Sequence, residues 1–234
     1  IVMDRVTGVR GPQGDASEVE KLLANVAIAG KIYGTADERV HTGGRFTGLT
    51  METLPKIPEV RVRRSDFRAI LAGISRGNCK LELHIDNEFI PGPVPQYNVV
   101  ADIPGSEKPD EFVIVCGHFD SWNGPGSLGA NDNGTGSSVT FESERILAKA
   151  KVKPKRTIRF ILWSGEEQGL LGSRGYVESH KAEMDKVSAV FNDDGGTNYQ
   201  GGYVGLEGMR SVIEAAMAPS QKAFPSLPME FRAV

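Results

Sequence analysis

The chain has 234 residues, 39% of them hydrophobic and 24% charged, with a formal net charge of −3. That is ordinary globular usage, enough for one large domain or two modest ones, and the slight acid excess without any block of like charge argues against nucleic acid as a partner. No apolar run approaches the roughly 18 residues a membrane helix needs, and Ile1-Val2-Met3-Asp4-Arg5 lacks the charged-then-apolar form of an export signal, so stable membrane insertion is not expected.

In chain order, residues 1 to 10 read as the end of a strand and a turn. From Ala16 to Ile32, apolar residues at Val19, Leu22, Leu23, Val26 and Ile28 predict an amphipathic helix, and Tyr33 to Met51, rich in Gly and Thr, predicts loop with short strands. His41 there reads as a surface residue. Pro58 to Val62 alternates like a strand, Ser65 is placed to cap a short helix through Phe67, Ile70 and Leu71, and Lys80 to Ile85 alternates again as a strand with His84 on its solvent face. Cys79 and Cys116 lie in apolar contexts that favour buried thiols over a disulfide. Pro91-Gly92-Pro93-Val94-Pro95 is a stiff connector, which puts a domain boundary near Pro93 and divides the chain into residues 1–92, a small α/β unit, and 93–234.

Past the connector the pattern changes to strands at Tyr97–Ile103, Glu111–Gly117, Thr157–Trp163 and Val187–Phe191, with helices over Thr135 to about Ala150, from a Ser173 cap to about Met184, and over Met209–Met217. His180 reads as a solvated residue of the second of these helices. Alternating apolar strands and amphipathic helices predict an α/β fold with a central sheet and helices packed on it.

Four islands at strand ends then carry His, Asp or Glu beside glycine: Gly117-His118-Phe119-Asp120, Gly129-Ala130-Asn131-Asp132-Asn133-Gly134, Glu166-Glu167-Gln168-Gly169 and Asn192-Asp193-Asp194-Gly195-Gly196. In an extended chain His118 and Asp120 point the same way, so Asp120 is placed to orient the imidazole of a metal ligand. Asp132 sits where glycines let the backbone bend before a helix; an N-cap would explain that carboxylate but not the histidine strand ahead of it. Glu166 and Glu167 repel unless a cation or proton intervenes, which suits one to a metal and the other to general-base work on a bound water. A donor set of histidine and carboxylate fits zinc, whereas all-oxygen magnesium or calcium sites would not need His118.

With Glu167-Gln168-Gly169-Leu170-Leu171-Gly172-Ser173 added, these motifs closely resemble the M28 family of zinc exopeptidases, most strongly from Tyr97 to Gly196, in an order similar to its carboxypeptidase and bacterial aminopeptidase branch. The resemblance implies the zinc-exopeptidase fold, a mixed central sheet flanked by helices, and peptide or dipeptide substrates cleaved with two zinc ions. It implies that His118 and Asp194 hold one zinc, Asp132 bridges, Glu167 binds the second, Glu166 is the general base and Asp120 orients His118. Of Asp193 and Asp194, it favours the one followed by Gly195-Gly196. It implies a non-proline cis peptide at Asp132–Asn133 and, for residues 1–92, a protease-associated-like domain. An extracytoplasmic location is implied by the resemblance alone.

The sequence departs from the family in one respect: the second zinc's histidine is expected well beyond Asp194, and no histidine follows His180. A C-terminally incomplete catalytic domain is therefore expected, with one zinc site's donors and part of the second. Two other readings stay open at this point, a catalytically inactive scaffold that keeps the fold and a single-zinc glutaminyl cyclase-like enzyme. Ser121 and Trp122 are candidates either for a cleft wall or for a structural turn, and oligomeric state is not legible.

Overall fold

The structure is a computed structural model, described for residues 2–3, 27–40, 50–77, 79–122, 127–196 and 201–234. Its chain divides into two compact units, residues 1–97 with 121–128 and 164–175, and residues 98–120 with 129–163 and 176–234.

The first unit holds a three-stranded parallel sheet, β1 (Val2–Met3), β2 (Lys31–Gly34) and β3 (Glu59–Val62), in that spatial order, followed by helix α1 (Arg64–Ser75). Helix α1 lays Phe67, its one buried residue, against β2 so closely that a Cβ on Gly34 would lie 2.7 Å from the ring. The helix begins at Arg64 without a side-chain cap, so Ser65 is not the capping residue; its hydroxyl donates to Glu38 instead, at 2.6 Å. Most of the predicted helix over Ala16–Ile32 lies outside the described residues, as does His41, but its last two residues open β2. Lys80–Ile85 is not a strand. Leu81, Leu83 and Ile85 alternate because one side of this segment lies over an apolar groove lined also by Ala29, Gly30, Ile32 and Pro58, so the period records a face without a hydrogen-bonded ladder. His84 is 85% exposed and pairs with Glu82 at 2.8 Å.

The second unit is built on a mixed four-stranded sheet in the order β4–β6–β5–β7, with β4 (Val99–Ile103), β5 (Lys108–His118), β6 (Arg156–Trp163) and β7 (Val187–Asn192). β4 runs antiparallel to β6, and the β6–β5 and β5–β7 pairs are parallel. Central β5 and β6 carry the continuous apolar runs and the buried positions, while β4 and β7 at the ends alternate or face outward, as expected for edge strands. Ile114, Cys116, Ile161, Trp163 and Tyr176 form one core cluster, with Trp163 edge-on to Tyr176 at 5.3 Å between ring centroids. Helix α2 (Gly134–Lys149) follows β5 and contacts β5 and β6.

Helix α3 spans Leu171–Ser179 and gives way to a 3₁₀ helix, Lys181–Lys186, so the predicted single helix to Met184 is two elements, and Ser173 is inside the first of them rather than its cap. His180 is half-buried, its ring stacked on Tyr176 at 4.1 Å with Nδ1 3.0 Å from the Tyr176 carbonyl, which the purely solvated reading missed. The predicted helix at Met209–Met217 is α4 (Arg210–Ala223). It packs Ile213 and Met217 on Phe231 of a small parallel sheet, β8 (Gly202–Gly205) with β9 (Glu230–Ala233).

Both cysteines are free, Cys116 buried and Cys79 half-buried. The Asp132–Asn133 peptide is cis, as is Gly92–Pro93. Among the described residues no helix is long and apolar enough to cross a membrane.

Candidate metal centre

β5 carries Ile114 and Cys116 into the core on alternate positions and ends at His118, whose side chain is only 2% exposed. The ring is pinned at both nitrogens. Nδ1 lies 3.0 Å from the Asp120 carbonyl oxygen, and Nε2 faces Asp132 Oδ1 at 3.0 Å and Asp194 Oδ1 at 3.2 Å. A carbonyl only accepts, so Nδ1 carries its hydrogen and Nε2 is the nitrogen turned to the carboxylates. A bare lone pair between two anionic oxygens is repelled by both, and a proton or a metal ion in that position reverses the sign.

These three donors lie within 4.8 Å of one another. One imidazole nitrogen with two carboxylate oxygens is a set that zinc accepts, and the ring's other N–H on an oxygen acceptor is the arrangement that fixes a metal-bound histidine. The residues therefore fit a zinc-type ion. Asp132 and Asp194 are 65% and 42% exposed, so the donors meet at the surface over a buried imidazole.

Local structure explains how three distant residues converge. Asp132 stands at the start of α2, where the loop is tied by Gly134 N–H to the Gly129 carbonyl at 2.6 Å and by Thr135 Oγ1 to the Asn131 carbonyl at 2.7 Å; a helix N-terminus favours a carboxylate there. Beyond β7, Asp193 N–H donates to the Cys116 carbonyl at 2.9 Å and keeps the chain beside β5 up to Asp194. Asp193 itself does not join the cluster: its carboxylate accepts from Gly195 N–H at 3.4 Å. The backbones of β5, α2 and the end of β7 approach so closely that a Cβ on Gly117 would lie 3.1 Å from both the Gly136 carbonyl carbon and the Asp193 carbonyl oxygen.

Asp120 reaches the ring by its carbonyl; its carboxylate Oδ1 is 3.7 Å from Nδ1, so the orienting contact expected of the side chain is made by the main chain of the same residue. Glu166 and Glu167 occupy the turn after β6, half-buried, and belong to the first unit. That turn is closed by Gly169 and Leu170 N–H groups on the Glu166 carbonyl, both at 2.8 Å, with Gly165 at φ 65° and Gly169 at φ 113°, values glycine reaches freely. Ser121 and Trp122 are half-buried and also lie in the first unit.

Burial pushes the Cys116 thiol up, which keeps it protonated, and its Sγ contacts Asn192 Oδ1 at 3.4 Å. It is a packing residue. The sequence reading passed over Ser137, whose hydroxyl donates to the His118 carbonyl at 2.6 Å, and the side chain of Asn133, whose Oδ1 accepts from Gly136 N–H at 3.0 Å. Asn just before a glycine-led helix is an N-cap signal that was available; nothing local marks Ser137.

Comparisons with known proteins place the chain in a family. Residues 98–226 match the sequence model of peptidase family M28. Carboxypeptidase Q of Rattus norvegicus is 36% identical over 196 residues, 82% of this chain and 41% of that protein. A probable zinc metalloprotease of Pyrenophora teres f. teres (strain 0-1) is 40% identical over 115 residues, 47% of this chain and 24% of that protein. The crystal structure of a peptidase M28 precursor from Shewanella amazonensis SB2B superposes with a TM-score of 0.63 at 27% identity, covering 88% of this chain and 46% of that one. The chain thus spans less than half the length of each of these three proteins.

Proposed function

The chain belongs to peptidase family M28, and on that premise we propose that it carries the metal-binding part of a zinc-dependent exopeptidase acting on peptides or dipeptides. The observation that carries the reading is the convergence of His118 Nε2 on Asp132 and Asp194 at 3.0 and 3.2 Å, a nitrogen and oxygen set with no other evident use.

In this reading His118, Asp194 and Asp132 would hold one zinc, and Asp132 with Glu167 would serve a second. When bound, zinc would supply the Lewis acidity that makes water a nucleophile near neutral pH. The protein's own groups do the rest. The Asp120 carbonyl holds the Nδ1 hydrogen, so that Nε2 keeps its lone pair for the ion. Glu166 accepts a proton as the water oxygen adds to the scissile carbonyl carbon, and returns it to the amine as the C–N bond breaks. Support for Glu166 and Glu167 is their adjacency at the end of an apolar strand and the family motif they match.

The same proposal takes residues 1–92 as a protease-associated-like domain and residues 93–234 as the N-terminal part of the catalytic domain. Its support is the Ile57-Pro58-Glu59-Val60 and Gly92-Pro93-Val94-Pro95 motifs. An extracytoplasmic location rests on family likeness alone, and cell fractionation tests it.

The testing experiment measures zinc content and turnover of a panel of free aminoacyl, blocked and dipeptide substrates, with zinc and with chelator. Glu166→Gln is expected to keep its zinc and lose turnover, while His118→Ala loses zinc. Near-normal turnover in the first variant, or full zinc content in the second, would sink the assignment.

A further inference from the structure

The two carboxylates facing His118 sit on segments far apart in the chain, and one side chain bridges those segments. Asn133, 1% exposed, directly follows Asp132. Its Oδ1 accepts from Gly136 N–H at 3.0 Å, capping α2, and its Nδ2 donates to the Asp193 carbonyl at 2.8 Å. Asp193 directly precedes Asp194. From one carboxylate-bearing residue to the other the path is therefore a peptide bond, one amide side chain, one hydrogen bond and a second peptide bond.

We propose that Asn133 is the positioning residue of the metal centre, an amide clamp that sets the separation of Asp132 from Asp194. The inference rests on the zinc reading above. Three observations make the clamp rigid. Both ends of the amide are engaged, Oδ1 by the helix and Nδ2 by the strand end, and a flipped amide would set acceptor against acceptor and donor against donor. The carbonyl it grips has no room to slide, because a Cβ on Gly136 would overlap the Asp193 oxygen. The imidazole end is anchored separately, by Ser137 Oγ on the His118 carbonyl at 2.6 Å and by Phe119 N–H on the Trp163 carbonyl at 2.7 Å. With His118 held from one side and the backbones that carry the two carboxylates held to each other, the three donor-bearing residues are fixed as one set. A buried side chain that oriented ligands without touching the ion would typically alter metal affinity by about 10- to 100-fold when removed.

Asn133→Ser separates the two functions of the side chain. Serine caps a helix N-terminus about as well as asparagine, so α2 keeps its cap, but its hydroxyl is too short to reach the Asp193 carbonyl. The assay is competition for zinc against a chromophoric chelator, with the visible spectrum of the Co²⁺-loaded protein as a second signal and melting of the metal-free protein as the stability control. Ile161→Val, a core substitution at a position with 0% exposure in the same sheet, provides a variant of comparable stability loss away from the centre. The expected result is a 10- to 100-fold loss of zinc affinity and an altered Co²⁺ spectrum in Asn133→Ser, with both unchanged in Ile161→Val. Equal affinity loss in the two variants, or wild-type affinity and spectrum in Asn133→Ser, overturns the clamp. If the wild type binds no zinc, the metal reading fails first and the clamp with it. Should Asn133→Ser not fold, NMR of the wild type decides: the Asn133 side-chain NH₂ must exchange slowly and shift together with the Asp194 amide on zinc addition, and a fast-exchanging NH₂ refutes the proposal.

Discussion

Gly136→Ala sets two opposed effects against each other at one position. In a helix, alanine is favoured over glycine by about 1 kcal/mol, so on propensity alone the substitution stabilises α2. The structure reverses the sign. A Cβ on Gly136 would overlap the Asp193 carbonyl oxygen and lie 2.5 Å from Asn133 Oδ1 and 2.7 Å from Nδ2. None of these is the end of a flexible side chain: one is backbone tied into the sheet, and the others belong to an amide that is 1% exposed. Overpacking of this kind costs roughly 1–3 kcal/mol, the upper part of the range where the neighbours cannot yield, so a net loss of about 1–2 kcal/mol is expected. For a chain of this size that lowers Tm by about 2–8 °C. Gly175 in α3 is the matched control, because a Cβ there meets nothing within 4 Å and Gly175→Ala is expected to gain about 0.5–1 kcal/mol. Urea unfolding of both variants in chelator, followed by zinc competition, checks the argument. If Gly136→Ala is as stabilising as Gly175→Ala and binds zinc like the wild type, the close approach of α2 to the end of β7 is wrong.

Two further outcomes follow from charges in the second unit. Arg159, 15% exposed, forks onto Asp102 at 2.8 and 2.7 Å, meets Tyr176 Oη at 2.8 Å and lies over the Phe112 ring at 4.4 Å, so Arg159→Ala is expected to cost about 2–3 kcal/mol and Arg159→Lys, which keeps charge but not the fork, less. A urea midpoint for Arg159→Ala equal to wild type would contradict this. Hydrogen bonds from Lys108 first and Arg156 next hold Glu111 below its ordinary value of 4.5. A depressed carboxylate contributes stability above its unfolded value and loses it as pH falls through the folded one. The melting temperatures of wild type and Glu111→Gln, both in chelator, should differ near pH 7 and draw together as pH falls below 4.5 and through the depressed folded-state value; a gap that widens in acid would reverse the assigned sign.

The parts of the molecule legible in sequence are those where a local pattern and the tertiary environment agree. β5, β6, β7 and α2 lie within a few residues of their predicted bounds, because β5 and β6 carry continuous apolar runs and α2 starts directly behind its cap, Asn133. The convergence of His118, Asp132 and Asp194 was legible from motif likeness, since strand-end carboxylates beside glycine say little alone. Lys80–Ile85 was misread because alternation reports an apolar face and not a backbone partner. β8 and β9 escaped because four-residue strands such as Gly202–Gly205 and Glu230–Ala233 are set by packing on Ile213 and Met217 more than by their own pattern. The bond from Asn133 to the Asp193 carbonyl and that from Ser137 to the His118 carbonyl could not be read at all, as both depend on which backbone arrives beside them.

The triad has a temporal side as well. His118 and Asp132 are 14 residues apart, a loop that closes early and cheaply, whereas His118 and Asp194 are separated by 76, and their contact waits for the parallel pairing of β5 with β7. The second carboxylate therefore depends on the strand pairing with the widest sequence separation in that sheet. A chain caught with β7 undocked would keep half of the centre and none of its three-point geometry, so occupancy of the centre during refolding serves as a clock for closure of the sheet.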